Sequence, residues 1–258
     1  EPFGDEERWA KCGWCAEETW QEGYLFGVEL FRICRSRLDL LERLDLLELA
    51  CVFQVLRTLT THAARYAKIP WNGKSWPACR FAISDPEGKN SKAKRLSQDT
   101  VQKAFKTIYE ALRTPSIYKE TPKAELEKMY KNADEGYGHK LFTKIAKRIG
   151  LIVPPRGPGM RFVLNERILR YLVVTLVPRG RITFESFKRA GEMHFGFCFD
   201  GGGLSRANRW ASGRKNESFD GETDAWLLAM LEGSGALRSL SDSCALVENA
   251  ASPEFKGE

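Results

Sequence analysis

Basic side chains with no acidic residue among them mark residues 138–164 of the chain, GHKLFTKIAKRIGLIVPPRGPGMRFVL. Amines and guanidiniums clustered in this way can neutralise a row of phosphates. In a helix over residues 139–149, Lys140, Lys144 and either Lys147 or Arg148 share one face, and apolar side chains cover the other. Since a helix contacts a duplex from one side, the segment predicts nucleic-acid binding, with a solvated basic helix as the alternative. The candidate contacts here are Lys140, Lys144, Lys147, Arg148, Arg156 and Arg161.

Two further basic segments are candidates for the same chemistry. A Ser- and Lys-rich stretch before residue 97 is predicted to be a flexible linker that neutralises phosphates without reading their sequence, or is simply solvated. A Gly-rich insertion at residues 200–221 carries Arg206, Arg209 and Arg214 beside Trp210. We expect this insertion to be a mobile loop. It could order on nucleic acid with Trp210 stacked on a base, or it could remain a surface loop without a ligand.

A metal-like spacing occurs once, at Cys12-Gly-Trp-Cys15. Two thiolates two residues apart are half of a structural zinc site, which needs four ligands. Cys34 and His62 are possible completing ligands, as is a second cysteine pair upstream of Glu1. A structural Zn²⁺ at Cys12 and Cys15 is therefore the one cofactor that the sequence suggests.

Catalytic patterns are weak in this chain. The three histidines do not fall into a metal or nuclease spacing. Asp85, Glu87 and Lys89 place two acids near a lysine, as in some metal-dependent nucleases, but Pro86 and Gly88 predict a turn there. The sequence therefore predicts a protein that is not an enzyme, with a metal-dependent nuclease as the weaker alternative.

Charge is unevenly distributed along the 258 residues. Residues 1–50 contain twelve acidic and six basic residues, a net charge of −6. Since the whole chain has a net charge of +6, residues 51–258 carry a net charge of +12. This asymmetry indicates one part that faces a polyanion and an N-terminal part that faces a protein partner. Seven cysteines, some in apolar settings such as Cys51 and Cys198, predict a reducing, cytoplasmic compartment. No apolar run is long enough to predict a membrane partner.

Periodicity and capping residues predict a mainly α-helical chain with small β-hairpins. A long helix, or two stacked helices, is expected to begin at Ser36 and to end before Pro70. Two sets of elements follow, and each has helices before a hairpin. The first set comprises helices over about 98–113 (capped by Ser97), 123–133 and 139–149, and strands 151–153 and 160–164 around the tip 154–159. The second comprises helices over about 166–176, 184–193 (capped by Thr183) and 223–232, an extended piece at 180–182, and two strands within GALRSLSDSCALVEN.

This order of elements over about residues 98–250 resembles that of winged-helix DNA-binding proteins. The resemblance is carried by KLFTKIAKRIGLIVPPRGPGMRFVL, GRITFESFKRAGEMHFG and WLLAMLEGSGALRSLSDSCALVEN. The second set is also similar to accessory DNA-binding subunits of bacterial genome-defence systems, which implies an antiviral role. Composition and element order predict four parts: an acidic, Trp-rich helical unit at 1–70, a connector and basic linker at 71–97, and winged-helix-like units at 98–165 and 166–250, the last with the Gly-rich insertion.

The sequence thus predicts a cytoplasmic, non-catalytic subunit that binds the phosphate backbone of DNA through a basic helix and wing. Duplex DNA is expected as the ligand ahead of single strands. A protein partner is expected on the N-terminal helical unit. The rival interpretation is an assembly subunit whose basic patch binds an acidic protein.

Overall fold

The computed structural model describes residues 20–66, 79–114, 122–213, 219, 224–241 and 244–255. These residues are mainly helical with short strands, as predicted. The helices are α1 (Trp20–Arg35), α2 (Leu40–Tyr66), α3 (Ser91–Leu112), α4 (Lys123–Ala133), α5 (Lys144–Arg148), α6 (Glu166–Leu176), α7 (Phe184–Phe195), α8 (Gly201–Ser212) and α9 (Ala225–Gly233), and a π-helical segment, Asp134–Thr143, joins α4 to α5. The strands are β1 (Phe81–Ala82), β2 (Ile152–Val153), β3 (Arg161–Phe162), β4 (Arg181–Thr183), β5 (Phe197–Cys198), β6 (Leu237–Ser241) and β7 (Cys244–Glu248). Among the described helices, none has the length and apolar character needed to cross a membrane.

The long N-terminal helix is a single element of 27 residues, α2. Its cap is Asp39 rather than the predicted Ser36, because the Asp39 carboxylate accepts hydrogen bonds from the backbone N–H groups of Leu41 and Glu42 at 2.9 and 3.1 Å. Ser36 instead belongs to the end of α1, where its hydroxyl donates to the carbonyl of Ile33 at 2.7 Å. The predicted stop at Pro70 lies outside the described residues.

The prediction of a basic linker up to residue 97 is wrong in its second half, because the chain is already helical from Ser91, where α3 begins. The side chain of Asn90 caps the helix by accepting from the N–H of Ala93 at 3.0 Å. Ser97, predicted as the cap, is buried within the helix and bonds to β3. Its hydroxyl accepts from the N–H of Phe162 at 2.8 Å and donates to the carbonyl of the same residue at 3.2 Å. Ser97 is a residue type that commonly caps helices, but here its hydroxyl is used for a tertiary contact with β3.

The predicted break at Gly138 is absent. The backbone stays helical through both junctions of the π-helical segment, so α4, this segment and α5 form one continuous rod. A Cβ atom on Gly138 would lie 2.8 Å from Cε1 of Tyr109 on α3. The glycine therefore serves close helix packing rather than helix termination.

The described residues also form three small sheets. β1 pairs in parallel with β5, β2 pairs antiparallel with β3, and β4, β7 and β6 form an antiparallel sheet in the spatial order β4-β7-β6. Both predicted hairpins, β2-β3 and β6-β7, are therefore confirmed. A single buried cluster takes in Phe53 of α2, Phe162 of β3, Leu172 of α6 and Val247 of β7, so the apolar core is continuous across the three predicted units.

The Gly-rich insertion begins as a helix, not as the mobile loop that we expected. Asp200 caps α8 by accepting from the N–H of Gly203 at 2.7 Å, and a Cβ atom on Gly201 would collide with the carbonyl oxygen of Phe219. The glycines thus permit close packing at the helix start. Residues 214–218 and 220–223 lie outside the described part of the chain.

Candidate nucleic-acid interface

The basic residues of the π-helical segment and α5 lie on one side of the rod. Lys140, Lys144 and Arg148, spaced by four residues, are exposed, and Lys147 is half-buried. The opposite side is buried and includes Phe142, Ala146 and Ile149. The predicted separation of a cationic and an apolar face is therefore present.

Aromatic packing and one asparagine hold this cationic face in place. The ring of Phe142 lies edge-on to Phe105 of α3, with ring centroids 5.5 Å apart. At the end of α5, Asn165 donates from Nδ2 to the carbonyl of Ile149 at 2.8 Å, and its Oδ1 caps α6 by accepting from the N–H of Ile168 at 2.8 Å. The basic helix therefore has a fixed orientation relative to α3 and α6.

One member of the cationic face has an acidic partner. Lys140 forms an ion pair with Glu135 at 2.9 Å, and the hydrogen bond from Lys140 lowers the pKa of Glu135. Lys144, Lys147 and Arg148 form no ion pair with any acid in the described parts of the chain. The charge free to meet an anion is therefore concentrated in Lys144, Lys147 and Arg148.

The β2-β3 hairpin divides its two arginines between different roles. Arg156 is exposed at the tip. Arg161 is 9% exposed and points into the protein, where its guanidinium donates to Ser84 Oγ and to the carbonyls of Asp85 and Pro86 at 2.8–2.9 Å. Burial lowers the pKa of Arg161, against the opposing effect of the Asp85 charge. The expectation that Arg161 contacts phosphate is therefore wrong, because its donors are used inside the fold.

The arginines of the insertion are also in different environments. Arg206 forms a bidentate ion pair with Glu192 at 2.6 and 2.5 Å, and this hydrogen bonding raises the pKa of Arg206. Arg209 is exposed on α8, and Arg214 lies outside the described residues. Trp210 packs edge-on against Phe81, with centroids 5.8 Å apart, so it is not the exposed stacking platform that we expected.

A buried polar network was missed in the sequence. Glu29 of α1 and Arg57 of α2 are ion-paired with both side chains fully buried. The second Glu29 oxygen accepts from the Tyr171 hydroxyl at 2.7 Å, and His194 Nε2 lies 2.5 Å from Oε1. The sequence signal that could have revealed it is one acidic residue, Glu29, and one basic residue, Arg57, each at a position on the apolar face of its helix. Because these two side chains are closed to solvent, we interpret the network as structural.

Burial and the contacts within the network lower the pKa values of Glu29 and His194 and raise that of Tyr171. Burial raises the pKa of Glu29, but the His194 hydrogen bond, the Arg57 charge and the Tyr171 hydroxyl outweigh it, so the pKa is lowered overall. Burial lowers the pKa of His194 in spite of the nearby Glu29. Burial, with the Glu29 charge and hydrogen bond, raises the pKa of Tyr171. The carboxylate and the neutral phenol are therefore the favoured forms inside the fold.

Comparison with protein-family models, with curated proteins and with solved structures gives no match to this chain. The function is therefore argued from geometry and charge.

The described residues do not bring the candidate metal and nuclease residues together into a site. Cys12 and Cys15 lie outside the described residues, and within those residues no group of three His, Cys, Asp or Glu side chains could hold a metal. Asp85 lies in the predicted turn, and its carboxylate accepts from the N–H groups of Glu87 and Lys89 at 2.9 Å each.

The described cysteines are free thiols in two kinds of environment. Cys51, expected to be buried, is exposed on α2, and Cys34 and Cys244 are also exposed. Cys198 is buried as expected, and Cys79 is buried too. Burial raises the pKa of Cys198, and it raises that of Cys79 to about 12, so both buried thiols stay protonated at neutral pH.

Proposed function

We propose that the protein is a cytoplasmic, non-catalytic DNA-binding subunit that contacts the phosphate backbone. The observation that carries this proposal is a set of cations on α5 and on the hairpin tip that form no ion pair with a described acid, namely Lys144, Lys147, Arg148 and Arg156. A rigid helix and an adjacent hairpin present them, so little conformational freedom is lost on binding. Backbone contacts of this kind give affinity and register without reading bases.

The order of elements in residues 166–250 supports the winged-helix part of the proposal. Helix α6, strand β4, helices α7 and α9 and the β6-β7 hairpin follow one another, and β4 pairs with β7. β5 and α8 are inserted after α7. Helix α9 contains no Lys or Arg and buries Leu227 and Leu231. The proposed DNA contacts are therefore assigned to the first unit. Its resemblance to a winged helix rests on its hairpin, because its second and third predicted helices form one continuous rod. A role in genome defence remains a prediction of the resemblance.

A salt titration of a labelled duplex tests the proposal. We expect the logarithm of the binding constant to fall linearly with the logarithm of salt concentration. The double variant Lys144→Gln/Arg148→Gln should reduce the slope by about 2, since each phosphate contact contributes about 0.9. Arg179→Gln/Arg189→Gln removes the same charge from exposed positions elsewhere and should leave the slope close to that of wild type. Absence of wild-type binding at low salt would refute the proposal.

A second candidate function, docking of a protein partner on the N-terminal helices, is favoured by an exposed apolar stripe on α2. The stripe comprises Leu40, Leu44, Cys51 and Val55, and Leu40 and Leu44 are 66% and 53% exposed. These positions are spaced by four, seven and four residues and so share one helix face. A face of this kind fits the apolar side of a partner helix.

The stripe predicts a protein complex that depends on it. The variant Leu40→Gln/Leu44→Gln should abolish co-purification of the partner from the native host, because two apolar anchors of the helix face are lost. Leu240→Gln, on exposed strand β6, is the matched control and should retain the partner. Co-purification of the same proteins with both variants would argue against this docking surface.

A further inference from the structure

A groove of about 660 Å³ runs between α3 and α8 and is lined mainly by cations on one wall. Among the described residues that line it, Asp99 is the only acid. Asn208, Ala211 and Ser212 form the opposite wall. The basic residues of the α3 wall are Lys92, Arg95, Lys103 and Lys106.

The groove is built on a packed floor. Beneath it, buried side chains from both walls form an apolar cluster that also includes β1 and β5. Leu96 of α3, Leu204 and Ala207 of α8, and Phe219 belong to this cluster. The described parts of the two walls are therefore held apart by this packing, which needs no ligand.

The placement of the cations is unfavourable for the helix itself. The first turn of α3 has no acid, although Lys92, Lys94 and Arg95 lie near its N-terminus. A helix N-terminus carries a partial positive charge, so cations there lower helix stability. Lys92, Arg95 and Lys103 also form no ion pair with a described acid, and Lys106 lies 3.7 Å from Glu110. Helix stability and described ion pairs therefore do not account for this charge.

We propose that the groove binds the phosphodiester backbone of a nucleic-acid strand, a second contact site that rests on the proposed function. From Lys92 to Lys106 the wall is about 21 Å long at 1.5 Å per residue. That length is several times the size of one phosphate group, so the wall fits a polymer better than a single phosphate. Among the described lining residues the one aromatic is Phe219, which is buried, so these residues offer no base-stacking platform. Binding is therefore to the backbone and independent of base sequence.

The groove adjoins the hairpin that presents Arg156. Gln98 of α3 donates from Nε2 to the carbonyl of Gly159 at the base of the hairpin, at 3.3 Å. Gln98 is the neighbour of Asp99, which lines the groove. Because consecutive helix residues point about 100° apart, the hairpin and the groove wall contact neighbouring faces of α3, and the two cationic surfaces are thus linked through the same helix.

The test is the duplex salt titration applied to two groove variants. Lys92→Gln/Arg95→Gln should reduce the slope by about 2 and weaken binding by about tenfold or more at 0.1 M salt. Its melting temperature should be unchanged or higher, because the helix N-terminus loses unfavourable cations. Ala211→Trp fills the groove without changing charge and should also weaken binding. Arg179→Gln/Arg189→Gln is the control with equal loss of charge.

The outcomes separate this inference from the proposed function. If both groove variants bind the duplex as tightly as the wild-type protein does, and Lys144→Gln/Arg148→Gln loses binding, the groove site is overturned and the proposed function stays intact. No binding by the wild-type protein at low salt would overturn both. If Ala211→Trp fails to fold, the result of Lys92→Gln/Arg95→Gln decides alone, because those two side chains are exposed.

Discussion

Replacing Glu29 with leucine is expected to lower the free energy of unfolding by about 3–5 kcal/mol, since it leaves the buried Arg57 without its carboxylate. Both side chains are fully buried, so water cannot replace the lost partner. The Tyr171 hydroxyl also loses its acceptor. Because the network joins α1, α2, α6 and α7, the loss should affect cooperative unfolding as a whole rather than one local segment.

Urea denaturation of a small set of variants measures this effect. The double variant Glu29→Leu/Arg57→Met should cost less than the two single variants together, because no buried charge remains unpaired. Arg170→Met is the matched control: it breaks the exposed Arg170–Glu42 pair, 2.6 Å long, and should cost less than about 1 kcal/mol. A loss in Glu29→Leu no larger than in this control would show that the buried pair contributes little.

Arg161→Met is expected to destabilise the protein by about 2–4 kcal/mol, because a buried charged donor and its three hydrogen bonds are lost. The variant leaves Ser84 and two backbone carbonyls without this donor. At protein concentrations corrected for the folded fraction, the salt dependence of duplex binding should be unchanged. Thermal unfolding followed by the salt titration on the same sample gives both quantities.

Arg156→Gln, in the same hairpin, is the matched control for Arg161→Met. It should leave stability unchanged, because Arg156 is exposed, and should reduce the salt slope by about 0.9 if that side chain meets one phosphate. The opposite pattern, with intact stability and a reduced slope in Arg161→Met, would return Arg161 to the interface.

Local sequence signals predicted most of the second half of the fold. Helix α6 has the predicted bounds, Thr183 caps α7 as expected, and both hairpins form. Caps and amphipathic periods act within a few residues, so they can be read from sequence alone. The cationic face on α5 could be predicted for the same reason.

Predictions failed at residues whose type suggests a local role but which the fold uses in a tertiary contact. Glycine is common at helix boundaries, yet at position 138 its lack of a Cβ atom lets the ring of Tyr109 pack against the helix. Ser97 has the type of a cap, yet its hydroxyl bonds to Phe162. Glu29 and Arg57 are 28 residues apart in sequence and become partners only when α1 packs on α2. Each of these uses depends on a neighbour that is distant in sequence.

The amino-acid sequence by itself determined most of the helical segments, though not α8 or the first turns of α3, and that the cations of residues 138–164 gather on one helix and one hairpin. Only the tertiary structure decided which of those cations remain free for a ligand. Lys140 meets Glu135 and Arg161 turns inward to backbone carbonyls, whereas Lys144, Arg148 and Arg156 stay exposed. The physical reason is that periodicity depends on the chain near each residue, whereas the partner of a charged side chain depends on which elements pack beside it.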